Sequence, residues 1–213
     1  VKENNNISRQ RFEAAMQLMG QLEREPAHVI QVSKLALQLF DQLQPLHRLQ
    51  ADDRDMLEAA ALLHDIGYVY GNKGHNKKSL QMIVESDLEG WDDQQLLMIG
   101  NIARYHNNAV PKQKHTFFTV LPEPCQDKVK KLAALLRLAD GLDRSHSDAI
   151  SSITCRIGVK SVKIDLETRG KIVHELHGFK KKRDLFSLVF ERKIKIGRIV
   201  DRWHIQSRHF AVE

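Results

Sequence analysis

Cysteine is scarce in this chain. Two occur among 213 residues, Cys125 and Cys155, and they lie far apart. That excludes a disulfide framework and a cysteine-paired zinc site, and it is the cysteine usage expected of a reducing cytoplasm. Aromatic residues make up only 6%. With no basic–aromatic interleaving and no helix-turn-helix pattern, a nucleic-acid binder is disfavoured. No run of about 18 apolar residues is present, so no membrane-spanning helix is expected. The start, Val1-Lys2-Glu3-Asn4-Asn5-Asn6, is polar and does not read as a signal peptide. It also lacks an initiator Met, which suggests a piece excised from something longer. No internal repeat or low-complexity segment stands out.

The 42% hydrophobic and 28% charged residues read as a soluble, globular chain with a sizeable core, in one large domain or two small ones. A net charge of +6 and a pI near 9.3 favour anionic partners, such as phosphates or nucleic acid, or an acidic neighbouring domain. The alternative is a solvated basic surface with no dedicated ligand.

Hydrophobic periodicity predicts helices up to about Arg144. The first spans Ser8 to Glu23, with Phe12, Ala15, Met16, Met19 and Leu22 on one face. The second starts at Pro26, well placed for a first turn, and stops at Pro45. The third is capped by Asp52 or Asp53 and ends at Gly67. Further helices are expected from His75 to Glu85, from Trp91 to His106 and from Gln126 to Arg144. The proline-containing stretch 107–123 reads as a surface loop. Beyond that the pattern alternates, as half-buried strands do, in 152–158 and 161–167. Lys171–His177 and Lys193–Ile199 are expected strands, with a helix over 179–191. The fold class is therefore α+β: an all-α domain over 1–149, then a small α/β module over 150–213.

The chemistry-bearing residues sit in the helical part. In Ala61-Leu62-Leu63-His64-Asp65-Ile66-Gly67 an imidazole and a carboxylate follow an apolar helix. Neighbouring helix residues point about 100° apart, so a cation between them can take both. His28, near the start of the second helix, and Asp140, interrupting Leu135-Leu136-Arg137-Leu138-Ala139-Asp140-Gly141, are candidate further ligands. A carboxylate in so apolar a stretch is costly unless paired or ligated. Two histidines and two carboxylates suit Mn, Mg, Fe or Zn. Taken singly, each has an ordinary alternative: His28 as a surface helix-start residue, Asp140 as a cap or a partner of Arg137 or Arg144. His75 and His106 each read either as ligands of a second metal or as polar helix termini. Lys77 and Lys78, in a first helical turn, together with Arg104 and Arg144, are candidate phosphate contacts. Asp143 is a candidate proton acceptor. The Phe179-Lys180-Lys181-Lys182-Arg183 block reads more readily as a solvated face than as a polyanion groove.

The ordered set His28, His64-Asp65, Asp140 resembles the HD superfamily of metal-dependent phosphohydrolases. More narrowly, the chain resembles the C-terminal region of the Ppx/GppA exopolyphosphatase and guanosine pentaphosphate phosphohydrolase family. The matching stretches include Ile102-Ala103-Arg104-Tyr105-His106 and Leu136-Arg137-Leu138-Ala139-Asp140-Gly141-Leu142-Asp143-Arg144-Ser145. The resemblance implies an HD-type helical domain, a divalent metal on those ligands, and a phosphate-containing small molecule or polyphosphate as partner. It also implies that phosphoanhydride hydrolysis belongs to N-terminal actin-like domains, for which this chain has no glycine-rich phosphate loop. Two expectations follow: a metal-dependent phosphohydrolase with Asp65 and Asp143 at the reaction, or a non-catalytic polyphosphate-binding and homodimerising module.

Overall fold

The computed structural model describes residues 2–202; positions 203–213 of the expected C-terminal module lie outside the described residues. Its first half is a set of helices whose apolar stripes meet in one core. Helix α1 spans Lys2–Leu22 and α2 spans Pro26–His47. On α2, Val29, Val32, Leu35, Ala36, Leu39 and Leu43 recur at helical spacing and are fully buried. Pro45 does not end this helix. The hydrogen bond a proline cannot donate falls here in the last turns, and His47 ties them down. Its Nε2 donates to the Phe40 carbonyl at 2.8 Å, and its Nδ1 accepts from the Leu49 amide at 2.9 Å.

Helix α3 covers Ala51–Leu63. Its cap is Gln50 rather than an aspartate. Asp53 stands at the third helical position and accepts the Gln50 amide at 2.9 Å, completing a reciprocal capping box. The helix stops at Leu63, and a short 3-10 turn, Ile66–Tyr70, carries the chain on to α4, His75–Val84. Helix α5, Asp93–Arg104, is capped by Asp92. A single turn, α6, Thr116–Thr119, lies in the expected loop, and α7 runs from Glu123 to Gly141.

The remainder is a three-stranded sheet with two helices. Strands β1, Ile150–Ile157, and β2, Ser161–Thr168, are antiparallel, and β3, Lys193–Asp201, runs parallel to β2. The expected strand at 171–177 is instead largely helix α8, Val173–Lys182, followed by α9, Asp184–Phe190. Ile172 just before α8, and Glu175, Gly178 and Phe179 within it, are buried, a helical spacing that alternation alone does not separate from a strand over so few residues. The parallel partners need a crossover of this length.

The sheet is fastened to the helices through its free edge. Gln31, Gln38 and Gln42, on one face of α2, bond the backbone of β1: Gln31 Nε2 to the Ile150 carbonyl at 2.6 Å, Gln38 Oε1 from the Ile153 amide at 2.8 Å, and Gln42 to both Ile153 and Cys155. Backbone groups that an edge strand leaves unpaired are thereby satisfied. Ile150, Ile153, Val162, Ile164 and Leu166 join the core of the helical part without a break. Among the described residues, no helix is long and apolar enough to cross a membrane.

Helix α8 crosses the end of α7 at Gly141 and Gly178. A Cβ on Gly178 would come within 2.3 Å of the Gly141 carbonyl oxygen. Backbone, unlike a flexible side chain, cannot yield cheaply, so Gly178→Ala is expected to destabilise the fold by about 1–3 kcal/mol in urea unfolding.

Candidate metal centre

Five elements end at one place. The first turn of α2 delivers His28, the exit of α3 delivers His64 and Asp65, the first residue of α4 is His75, His106 follows α5, and the last turn of α7 carries Asp140. All six are buried. Asp65 lies at the middle: its Oδ2 is 3.5 Å from His64 Nε2, and its Oδ1 is 3.5 Å from both His75 Nε2 and His106 Nε2. His28 Nε2 stands 3.7 Å from Asp140 Oδ1. The sets His28, His64, Asp140 and His64, Asp65, His106 each offer atoms within 4.8 Å of one another, close enough for one ion.

The protonation of these rings follows from their other nitrogen. His64 Nδ1 bonds the Ala61 carbonyl at 2.7 Å, His75 Nδ1 the Asn72 carbonyl at 3.0 Å, and His106 Nδ1 the Ala103 carbonyl at 2.6 Å. A carbonyl only accepts, so each Nδ1 carries the proton and, in the neutral ring, each Nε2 offers a lone pair. His28 Nδ1 likewise donates to Asp143 Oδ2 at 2.8 Å. Four lone pairs therefore converge; those of His75 and His106 stand 3.3 Å apart. His64 Nε2 and Asp65 Oδ1 are buried without any hydrogen-bond partner. Buried polar atoms left this way are costly, and a divalent cation satisfies both the lone pairs and the carboxylate. The donor set fits such an ion.

Electrostatics agrees. Burial lowers the His64 pKa to about 4 and takes His106 well below its ordinary value, so both are neutral at pH 7. Burial alone would raise Asp65, but the surrounding imidazoles outweigh it and bring its pKa down to about 2. The carboxylate stays ionised at pH 7.

Glycine at position 67 makes the assembly possible. A Cβ there would lie 2.1 Å from the His75 carbonyl oxygen, and the Gly67 amide donates to Ser79 Oγ at 3.0 Å. The 3-10 turn thus seats directly on the start of α4 and holds His75 against Asp65.

The cluster floors an open cleft of about 520 Å³. Not all the expected residues face it. Asp143 stands behind His28: its Oδ2 accepts the His28 Nδ1–H and its Oδ1 accepts the Asp148 amide at 3.1 Å, so it orients that ring. Lys77 and Lys78 are exposed outside the cleft lining, Lys78 over the Tyr70 ring, and Arg104 lies over Tyr105. Arg144 does line the cleft, joined by Arg24, Lys181 and Lys182. Lys182 pairs with Asp140, and burial lowers its pKa to about 8. The lysine block is therefore not wholly a solvated face. The missed signal is the buried Phe179 one turn before Lys182, which fixes which lysines turn inward. His146, in a left-handed backbone conformation (φ 55°), stacks on His28 at 3.7 Å and pairs with Glu25.

Residues 10–184 match the family model described as Ppx/GppA phosphatase, domain III. The match takes in every one of the six clustered side chains.

Because the folded-state pKa of His64 is depressed, the unfolded chain binds the proton first, and stability falls as pH drops from about 6.5 towards 4. For metal-free protein the loss over that window from His64 alone is about 3 kcal/mol, with His106 adding in the same direction. Urea unfolding in chelator at several pH values checks this; a flat profile between pH 7 and 4.5 would contradict it.

Proposed function

The chain belongs to the Ppx/GppA phosphatase family, and we propose that its helical part is a divalent-metal-dependent phosphohydrolase site acting on a phosphoanhydride. Polyphosphate, guanosine pentaphosphate or another nucleotide are the substrates of that class. The observation that carries the reading is the convergence of four imidazole Nε2 atoms on two carboxylates, with His64 Nε2 and Asp65 Oδ1 buried and unpartnered.

The set supports two ions. His28, His64 and Asp140 would hold one, His75 and His106 the other, and the two oxygens of Asp65 face the two sides. Asn76, next to His75, turns its side chain to the Arg104 carbonyl at 2.9 Å, away from the cluster's ligand atoms. So imidazole-rich a set favours Mn, Fe or Zn over Mg. A divalent ion bound there supplies offset of charge on a phosphoryl oxygen and acidification of water. The chain's own part is to bind and orient: Arg24, Arg144 and Lys181 meet the phosphate charge along the cleft.

One contact favours a second reading. The Lys182 ammonium sits on Asp140, supplying from within the chain a charge that a cation would otherwise provide. On that reading the cleft binds a phosphoanhydride without cleaving it.

Titration of metal-stripped protein with Mn²⁺ separates these. We expect about two ions per chain, phosphate release from tripolyphosphate or GTP once loaded, and loss of both metal binding and release in His64→Ala. Tripolyphosphate binding that survives His64→Ala, with no release by the native chain, would favour the binding module.

A further inference from the structure

The two carboxylates of the cluster do not stand alike. Asp140 already has a cation. Arg137, one turn before it, is committed elsewhere, to the Ala109 carbonyl at 3.2 Å and to Asp184 at 2.8 Å. The partner of Asp140 is Lys182, the last residue of α8. Its ammonium takes Oδ2, while Oδ1 faces His28 Nε2 at 3.7 Å. Backbone packing brings it there: a Cβ on Gly141 would stand 3.2 Å from that of Lys182. The ammonium's charge also acts on Asp65, His64 and His106.

Asp65 has no such neighbour. Among the described residues it meets only imidazoles, and no lysine or arginine pairs with it. Its Oδ1 is buried without a hydrogen-bond partner and faces the Nε2 atoms of His75 and His106, each at 3.5 Å. One half of the centre is therefore neutralised from within the chain, and the other half is left to an ion.

We infer that Lys182 is an internal counter-ion that makes the two halves of the centre unequal. It keeps the side of His28, His64 and Asp140 the weaker one for a divalent cation and leaves the side of Asp65, His75 and His106 the stronger. This rests on the two-ion reading above. The physical reason is repulsion: at the effective permittivity of a protein site, one positive charge a few ångströms from a dication opposes its binding by more than about tenfold. The ammonium has somewhere to go. Lys182 lines the open cleft beside Arg144 and Lys181, so on leaving Asp140 it joins the residues that meet phosphate there. A lysine suits this role because its flexible stem carries a compact charge, which an arginine fork does not.

Calorimetric titration of metal-stripped protein with Mn²⁺ tests this without any readout of activity. The native chain should show two binding constants at least about tenfold apart. Lys182→Met keeps the apolar stem and removes the charge. Its weaker constant should tighten by about tenfold or more, and its stronger one should change by less than about threefold. In His28→Ala, which lacks the weaker side, adding Lys182→Met should leave the one remaining constant within about threefold, placing the gain on the Asp140 side. A measurement on the native chain needs no variant to fold: with diamagnetic Zn²⁺, NMR of the Lys182 side chain should show its main displacement at the second equivalent. Equal native constants, a weaker constant in Lys182→Met that is unchanged or loosened, or a Lys182 signal fully displaced by the first equivalent would overturn the inference and leave the metal centre standing. A native chain and a Lys182→Met variant that both bind no Mn²⁺ would overturn the metal-centre reading itself, and this inference with it.

Discussion

The arrangement of the site depends on one repeated hydrogen bond, from an imidazole Nδ1 to the carbonyl three residues earlier. It occurs at His64, His75 and His106. At His64 and His106 it has a common origin, because each residue lies just past the end of a helix. The last carbonyls of a helix have no partner within it. Those of Ala61 and Ala103 are taken by the ring that follows. The same bond that finishes the helix fixes the ring's tautomer and aims its Nε2 inward. A helix terminus, ordinarily a cost, becomes the support of a ligand.

Close backbone approach does the rest. Gly67 lets the turn after α3 touch the first residues of α4, and the Gly141–Gly178 crossing lets α8 bring Lys182 to Asp140. The glutamines of α2 fasten β1, and through it the whole α/β segment, to the helix that carries His28. The two parts of the chain share one core, so the cleft is walled by both. The basic residues come from the turn after α7, from α8 and from the α1–α2 connection, while the clustered histidines come from the helical part.

Most of the helical architecture was legible because long apolar stripes at a spacing of three and four leave little ambiguity. Boundaries were less so. Pro45 reads as a stop, yet it lies close enough to the helix end for His47 to compensate. Residues 171–177 read as a strand because seven residues are too few to distinguish alternation from about two helical turns. Asp143 was legible as a carboxylate near the ligands, but a sequence does not say on which side of a ring a carboxylate stands.

Local chemistry sets the donor types and their order: His28, His64-Asp65, His75, His106 and Asp140, each at or near a helix end where apolar periodicity breaks off. That much is read along the chain. Convergence is not local. Whether His75 and His106 join the cluster or remain polar termini was decided by how α4 packs on α5 and on the 3-10 turn after α3, and α5 on α3. Which lysines face the cleft was decided by the glycine crossing of α7 and α8. Those outcomes depend on contacts between segments distant along the chain, where an ångström of approach separates a ligand from a surface residue.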